Sequence, residues 1–117
     1  MSSQYVLDGK KPVLCEDLGT WAKWFETANR RVAQEERDGV RVSTVFLGLD
    51  HRFNGDGPPI LFETMIFGGR HDQDQDRYST WEEAEAGHAA MCKRAFSSPQ
   101  NKLTGMLRKL VRRLRGI

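Results

Sequence analysis

The stretch VRVSTVFLGLDHRFNGDGPPILFETMIFGG, residues 40–69, decides the fold of this chain. Two runs within it, residues 40–49 and 60–67, are dense in β-branched and aromatic residues, which suit a pleated sheet. Residues 50–59 between them hold the Asp, Asn, Gly and Pro of a turn-rich loop, too long for a two-residue hairpin turn. We therefore expect a long antiparallel hairpin that carries a polar loop.

The first strand of this hairpin is expected at the centre of the sheet. Alternation places Val42, Thr44 and Phe46 on one face. The residues of the other face, from Ser43 to Leu49, are also mostly apolar. A strand that is apolar on both faces is typical of a central position or of cover on both sides.

The segment after Asp17 predicts a helix that runs to about Glu36. Asp17 provides an N-cap, and Asp38-Gly39 breaks the pattern before the hairpin. Aromatic stripes at helical spacing are more often core than a platform on which nucleic-acid bases stack. We expect such a stripe to pack on the sheet here: Leu18, Trp21, Trp24, Phe25, Ala28 and Val32.

A second helix is expected to begin near residue 80. Ser79 and Thr80 each have a Glu three residues later, Glu82 and Glu83, so either pair can form a capping box. A lone His on an apolar helix face, such as His88, is more often a buried, hydrogen-bonded core residue than a ligand-binding group. The pattern ends at residues 97–99, after an apolar face of Trp81, Ala84, His88, Met91 and Ala95.

Short strands complete the predicted sheet. Asp8-Gly9 predicts the turn of a small β-ribbon, and Pro12 limits that ribbon to an edge. Residues 70–77 are expected to be a charged loop, with Tyr78 beginning a short third strand. The predicted class is α+β, a small antiparallel sheet built on a central long hairpin, with packed helices and a basic C-terminal helix. Residues 1–96 are expected to form one domain, and residues 97–117 the basic helix.

Length and composition are those of one folded domain in a reducing compartment. At 117 residues and 38% hydrophobic content, the chain can bury a core without disulfides or a structural metal. Cys15 and Cys92 have no metal-like spacing, and we expect both to be reduced thiols. The N-terminus lacks an apolar signal-peptide region, and no apolar run has the length of a membrane span.

The net charge of +2 hides an asymmetry between the body and the tail. Residues 1–85 carry 10 basic and 16 acidic side chains, a net charge of −6, whereas residues 86–117 carry 8 basic and no acidic ones, a net charge of +8. The tail is a basic amphipathic segment, which suits binding to nucleic-acid phosphates, an anionic surface or an acidic groove on a partner. The alternative is that its apolar stripe docks on the core or on a second subunit. The anion-binding candidates are Lys102, Arg108, Lys109, Arg112, Arg113 and Arg115.

No catalytic signature stands in the chain. The P-loop, the dinucleotide-binding glycine motif, the zinc-protease motif and the nucleophile elbow are all missing. Asp50 and His51 make a weak acid–base pair, because adjacent strand residues point to opposite faces. We expect no catalytic residue, no metal site and no cofactor. A near match to a calcium loop has Arg77 where Gly is required, which favours a solvated acidic loop at Asp72, Asp74, Asp76 and Glu83.

Four motifs resemble those of a family of small proteins encoded by phages and prophages. They are W-x-x-W-F-E at residues 21–26, V-S-T-V-F-L-G-L-D-H at 42–51, G-P-P-I-L-F-E-T-M-I-F-G-G at 57–69 and Y-S-T-W-E-E-A-x-x-G-H at 78–88. The resemblance covers roughly residues 4–95, and the basic tail is an addition to the usual short form.

The resemblance implies a non-enzymatic accessory protein in the cytoplasm of a bacterial host. Small phage proteins of this kind often counter host defence, by sequestering a nucleotide-type signal or by masking a defence protein. A nucleotide site needs basic and aromatic groups around a pocket, often shared between the subunits of a homo-oligomer. The residue types suited to it are Arg41, His51, Arg52, Phe53, Arg77, Tyr78 and His88. The alternative function is nucleic-acid binding through the basic tail.

Overall fold

The computed structural model describes residues 3–52 and 54–97. They form an α+β fold of two helices and two antiparallel sheets, which confirms the predicted fold class. The predicted basic helix and its six anion-binding candidates lie outside the described residues. In chain order the elements are β1 (Tyr5–Asp8), β2 (Lys11–Leu14), α1 (Leu18–Thr27), β3 (Arg31–Arg37), β4 (Val40–Phe46), β5 (Phe62–Phe67), β6 (Gln75–Tyr78) and α2 (Trp81–Phe96).

The main sheet has the strand order β3-β4-β5-β6, with every neighbouring pair antiparallel. The predicted long hairpin is its centre, since β4 pairs with β5 and Thr44 stands directly opposite Thr64. Helix α2 packs on one face of all four strands. The other face of β4 is exposed at Arg41 and only half-buried at Ser43 and Val45. The expected central position is therefore confirmed, whereas β4 is fully buried on one face alone.

Helix α2 begins as the sequence predicts. Thr80 is the N-cap, its Oγ1 accepts the Glu83 backbone N–H at 3.1 Å, and its hydroxyl donates to Glu83 Oε1 at 3.0 Å. The Thr80 side chain thus satisfies one backbone donor that the first turn leaves free, and the Glu83 carboxylate accepts from the Thr80 hydroxyl where a full capping box uses the N-cap backbone N–H. The buried face of α2 consists of Ala84, His88, Met91, Cys92 and Ala95.

Helix α1 is shorter than predicted, and the second half of the predicted helix contains strand β3. Asp17 caps the helix as expected, but the chain is extended at Ala28 and residues 31–37 form the edge strand β3. Asp38 and Gly39, with φ of 51° and 82°, make the two-residue turn that joins β3 to β4. Ala, Gln, Glu and Arg are good helix formers, but pairing with β4 outweighs that local preference.

The β1–β2 ribbon lies at the loop end of the central hairpin. Its turn is at Gly9, with φ of 64°. The Tyr5 N–H donates to Gly48 O at 2.8 Å, and Trp21 Nε1 of helix α1 donates to Tyr5 O at 3.0 Å. The predicted ribbon is present, whereas the expected third strand is displaced along the chain, because β6 ends at Tyr78 instead of beginning there.

Neither helix in the described part of the chain is both long and apolar enough to cross a bilayer. Cys15 and Cys92 are free thiols, the first half-buried and the second buried.

Gly87 in helix α2 gives a direct test of the packing between this helix and β6. A Cβ at this position would lie 2.1 Å from Cζ of Tyr78. We expect Gly87→Ala to destabilise the protein by about 1–3 kcal/mol through overpacking, despite the better helix propensity of Ala. Urea unfolding would measure the change in the free energy of unfolding.

The matched control is Gly19→Ala in helix α1, where the nearest atom to the new Cβ is 3.8 Å away. This substitution should be neutral or stabilising by up to ~1 kcal/mol. A Gly87→Ala variant as stable as the Gly19→Ala variant would contradict the described contact between Gly87 and Tyr78.

Candidate functional site

A polar layer crosses the middle of the core between the sheet and helix α2. Thr44 Oγ1 lies 2.6 Å from Thr64 Oγ1 and 2.7 Å from His88 Nδ1, and all three side chains are buried. The layer separates two apolar clusters, one around Val42 and Ile66 and the other around Phe46 and Phe62. Register explains this arrangement, since on the face that packs on α2 like residues stand opposite each other: Val42 and Ile66, Thr44 and Thr64, Phe46 and Phe62.

The second nitrogen of His88 faces a thiol and a carboxylate. Nε2 lies 3.4 Å from Cys92 Sγ, one turn further along α2, and 3.7 Å from Oε1 of Glu35 on strand β3. The ligand atoms of these three residues all lie within 4.8 Å of one another. Two elements, helix α2 and strand β3, therefore bring a buried imidazole, a buried thiol and an exposed carboxylate to one point.

Burial sets the protonation of this cluster. Desolvation, with a further contribution from the charge and hydrogen bond of Glu35, raises the pKa of the Cys92 thiol to about 11. Desolvation also lowers the pKa of His88, partly opposed by Glu35. Near neutral pH the protein alone thus holds a neutral thiol and a neutral imidazole. A neutral thiol is a poor nucleophile, but sulfur, nitrogen and oxygen donors together suit a transition metal.

The sequence interpretation missed this cluster. It considered spacing between the two cysteines, whereas the relevant spacing is His88-x3-Cys92, which places both side chains on one face of a helix. The sequence pattern predicts a helix at Glu35, whereas the structure has strand β3 there. The contact between Glu35 and α2 could be predicted only once β3 is recognised as a strand.

The residues predicted for a nucleotide site do not converge. Arg41 and Arg77 lie on the sheet face opposite α2, where Arg41 stacks on Phe67 and Arg77 pairs with Glu63 at 2.9 Å. The others are divided between two further places. His51 and Arg52 lie in the loop after β4, Tyr78 and His88 lie on the α2 side of the sheet, and Phe53 lies outside the described residues.

The loop after β4 is built around Asp50, which is buried. Its Oδ1 accepts the backbone N–H groups of Arg52 and Ile60, each at 3.0 Å, and its Oδ2 accepts the Arg52 guanidinium at 2.7 Å. Arg52 also donates to the carbonyls of Gly55 at 3.0 Å and Gly57 at 2.6 Å. The Arg52 side chain therefore closes the loop internally, which leaves it poorly placed to hold a phosphate.

Three exposed hydrophobic side chains, together called the apolar patch, belong to the end of β2 and the start of α1. We use this name for Val13, Leu14 and Leu18, whose exposed fractions are 39%, 50% and 62%. Leu18 was expected on the covered face of its helix, and that expectation is wrong. Among the described residues these are the exposed large hydrophobic side chains, and all three fall within residues 13–18.

A shallow groove of about 430 Å³ lies between the ribbon turn and the first turn of α2. Lys10 lies 5.8 Å from the centre of the Trp81 ring and 3.9 Å from Glu85 Oε1. The groove is lined by Asp8, Lys10, Lys11, Pro12, Thr80, Trp81 and Glu82. Two lysines face two carboxylates there, so the lining has no excess of positive charge.

The acidic residues with calcium-like spacing serve separate contacts. Asp72 Oδ1 accepts the Gly68 N–H at 2.6 Å, Asp74 lies 3.3 Å from Arg94, and Glu83 belongs to the capping box of α2. Asp76 Oδ1 accepts the Arg77 N–H at 3.0 Å, so each carboxylate has a local structural partner. Asp72 and Asp74 lie in the expected loop, whereas Asp76 lies in β6 and Glu83 in α2.

Comparisons of the chain with protein-family models, with curated proteins and with solved structures found no match in any of the three. The fold and the buried cluster define the class of molecule as a small α+β domain with a polar layer in its core. The resemblance to a phage-encoded family, the basic tail as a nucleic-acid site and the homo-oligomer stay predictions.

Asp50 provides a test of the loop and of its pH dependence. Burial alone would raise its pKa, but hydrogen bonds from Arg52 and Ile60 and the charge of Arg52 together lower it. The ionised carboxylate therefore stabilises the fold at pH above its unfolded pKa of about 3.9, and this contribution is lost as pH falls through the lower folded pKa. We expect Asp50→Asn to destabilise the protein at pH 7 by about 1–3 kcal/mol.

The difference between Asp50→Asn and wild type should shrink as pH falls from about 5 towards 3. Denaturant unfolding across this range would measure it, with Asp56→Asn, an exposed carboxylate of the same loop, as the control. A difference that is constant with pH, or equal losses in the two variants, would refute the anchoring role of Asp50.

Proposed function

We propose that this protein is a non-enzymatic accessory protein, of phage origin, that counters host defence by binding a host protein through the apolar patch. The observation that carries the proposal is the exposure of Val13, Leu14 and Leu18. Val13 and Leu14 are neighbours in β2 and point to opposite faces of the ribbon, so Leu14 and Leu18 are the side chains proposed to anchor a protein partner. Aliphatic anchors of this kind stabilise a complex when they enter a pocket on the partner.

The arrangement of charges favours a protein target over a nucleotide-type ligand. Arg52 and Arg77 are each paired with a carboxylate, and the groove beside Trp81 has balanced charge. A site for a multiply phosphorylated ligand needs unpaired basic groups that point at one place. The nucleotide branch of the prediction therefore has less support than the host-protein branch.

The ribbon favours a foreign partner over a second copy of this chain at the patch. Strand β2, which carries Val13 and Leu14, is an edge strand of four residues with Pro12 at its second position. Proline lacks a backbone N–H and shortens the row of donors with which two copies of β2 could pair. Side-chain docking into a groove does not need those donors.

The protonation of the buried groups supports a role without catalysis. Cys92 is a thiol whose pKa is raised to about 11, which leaves almost no thiolate at neutral pH. The carboxylate of Asp50 is fully used by its loop, and His51 Nδ1 is bonded to its own loop at Leu49 O, 2.7 Å away.

The test compares full-length wild type with a variant carrying Leu14→Ser and Leu18→Ser. Each protein is used to capture binding proteins from a bacterial host lysate, and the captured protein is then purified and titrated by calorimetry. Each truncated anchor should cost about 1–2 kcal/mol of binding free energy, so the variant should bind at least tenfold more weakly. Its stability should stay within ~0.5 kcal/mol of wild type, because both positions are exposed.

The control variant carries Ala89→Ser and Ala90→Ser at exposed positions of α2. It should bind the purified partner as tightly as wild type. Equal affinity of the patch variant and wild type would refute the proposal. A patch that instead mediates association between copies would appear as a loss of oligomer on size-exclusion chromatography in the patch variant alone, and would also overturn it.

A further inference from the structure

The cluster of Glu35, His88 and Cys92 has the dimensions of a tetrahedral metal site. Zinc bonds of about 2.0–2.2 Å to nitrogen and oxygen and about 2.3 Å to sulfur place tetrahedral ligands about 3.3–3.7 Å apart. The separation of His88 Nε2 from Cys92 Sγ is 3.4 Å and from Glu35 Oε1 is 3.7 Å. Cys92 Sγ and the Glu35 carboxylate lie within 4.8 Å of each other, so a metal ion can be accommodated when the exposed Glu35 side chain moves towards Cys92.

We propose that Glu35, His88 and Cys92 form a zinc site that joins the edge strand β3 to helix α2. This inference is independent of the apolar patch and of any partner bound there. The site would be structural. It is separate from the groove lined by Trp81, because Trp81 lies about 10 Å from His88 along the helix axis.

Thr44 holds His88 in the form that a metal requires. When Nδ1 carries the proton, it donates to Thr44 Oγ1 at 2.7 Å, and Thr44 in turn donates to Thr64 Oγ1 at 2.6 Å. The Nε2 lone pair then points into the cluster. Metal-bound histidines almost always donate their other N–H in this way, which fixes both tautomer and ring orientation.

The charge of the proposed site balances. Zinc displaces the proton of the Cys92 thiol, so one thiolate and the Glu35 carboxylate neutralise the two positive charges of the ion. A neutral unit of this kind can be placed beside a core at lower cost than an isolated charge. A thiolate, an imidazole and a carboxylate form a borderline-soft donor set, which suits zinc better than magnesium or calcium.

Arg37 orients the carboxylate ligand. Its guanidinium lies 3.6 Å from Oε2 of Glu35, which leaves Oε1 turned towards His88. Arg37 itself is held over the ring of Phe96, 4.8 Å from its centre. The exposed side of Glu35 provides the path by which zinc enters, and a water molecule can complete the four ligands from that side.

The test measures zinc binding to the full-length protein after its affinity tag has been removed and bound metal stripped with a chelator. Zinc content, competition with a chromophoric chelator and Tm are measured, and cobalt serves as a spectroscopic substitute. Wild type should bind one zinc per chain, its Tm should rise with zinc, and the cobalt form should show thiolate-to-cobalt charge-transfer absorption.

Two pairs of variants isolate the site. Glu35→Gln and Cys92→Ala should each lower zinc affinity at least about 100-fold, since losing even a group that orients a ligand costs 10- to 100-fold. The controls are Glu36→Gln, the neighbouring carboxylate that lies opposite Arg41 on the other sheet face, and Cys15→Ala. Both controls should bind zinc like wild type.

Glu35 is exposed, so Glu35→Gln is expected to fold and to keep the test decisive even where Cys92→Ala does not fold. The proposal is overturned if wild type fails to bind one zinc per chain. It is equally overturned if Glu35→Gln retains wild-type zinc affinity. The same holds if the thiolate-to-cobalt band is lost in Cys15→Ala and retained in Cys92→Ala.

Discussion

The polar layer of Thr64, Thr44 and His88 is the constraint on which the rest of the structure depends. A buried hydroxyl or imidazole without a partner costs about 1–3 kcal/mol, so these three groups must meet at one level of the core. A slip of one residue between β4 and β5 would turn Thr44 or Thr64 to the opposite face and leave its partners unpaired. The layer thus specifies the register of the hairpin and the position of α2 upon it.

The candidate sites follow from this arrangement. Because His88 uses one nitrogen to complete the polar layer, its other nitrogen is directed at Cys92 and at the edge strand. The apolar patch lies in a different part of the molecule, on the ribbon and the start of α1, and contributes little to the core. Under the proposed function, stability and partner binding would lie in separate parts of the molecule, and either could be altered alone.

Much of this fold could be predicted from local patterns in the sequence. Alternation identified the central hairpin, and the Thr80–Glu83 spacing identified the start of α2. The error at β3 has a physical cause, since its residues favour a helix locally and form a strand only because β4 lies beside them. Asp38-Gly39 was a hairpin signal interpreted as a helix stop. The Glu35 contact depends on that strand, so the site could not be predicted from spacing alone.

A double-mutant cycle on Thr44 and His88 tests the role of the polar layer most directly. The free energy of unfolding would be measured in metal-free protein for Thr44→Val, for His88→Leu and for both together. In wild type, Thr44→Val leaves Nδ1 of His88 buried and unpaired, whereas after His88→Leu no such group remains. We predict a coupling energy of about 1–3 kcal/mol, and additive losses, equal within ~0.5 kcal/mol, would contradict the account.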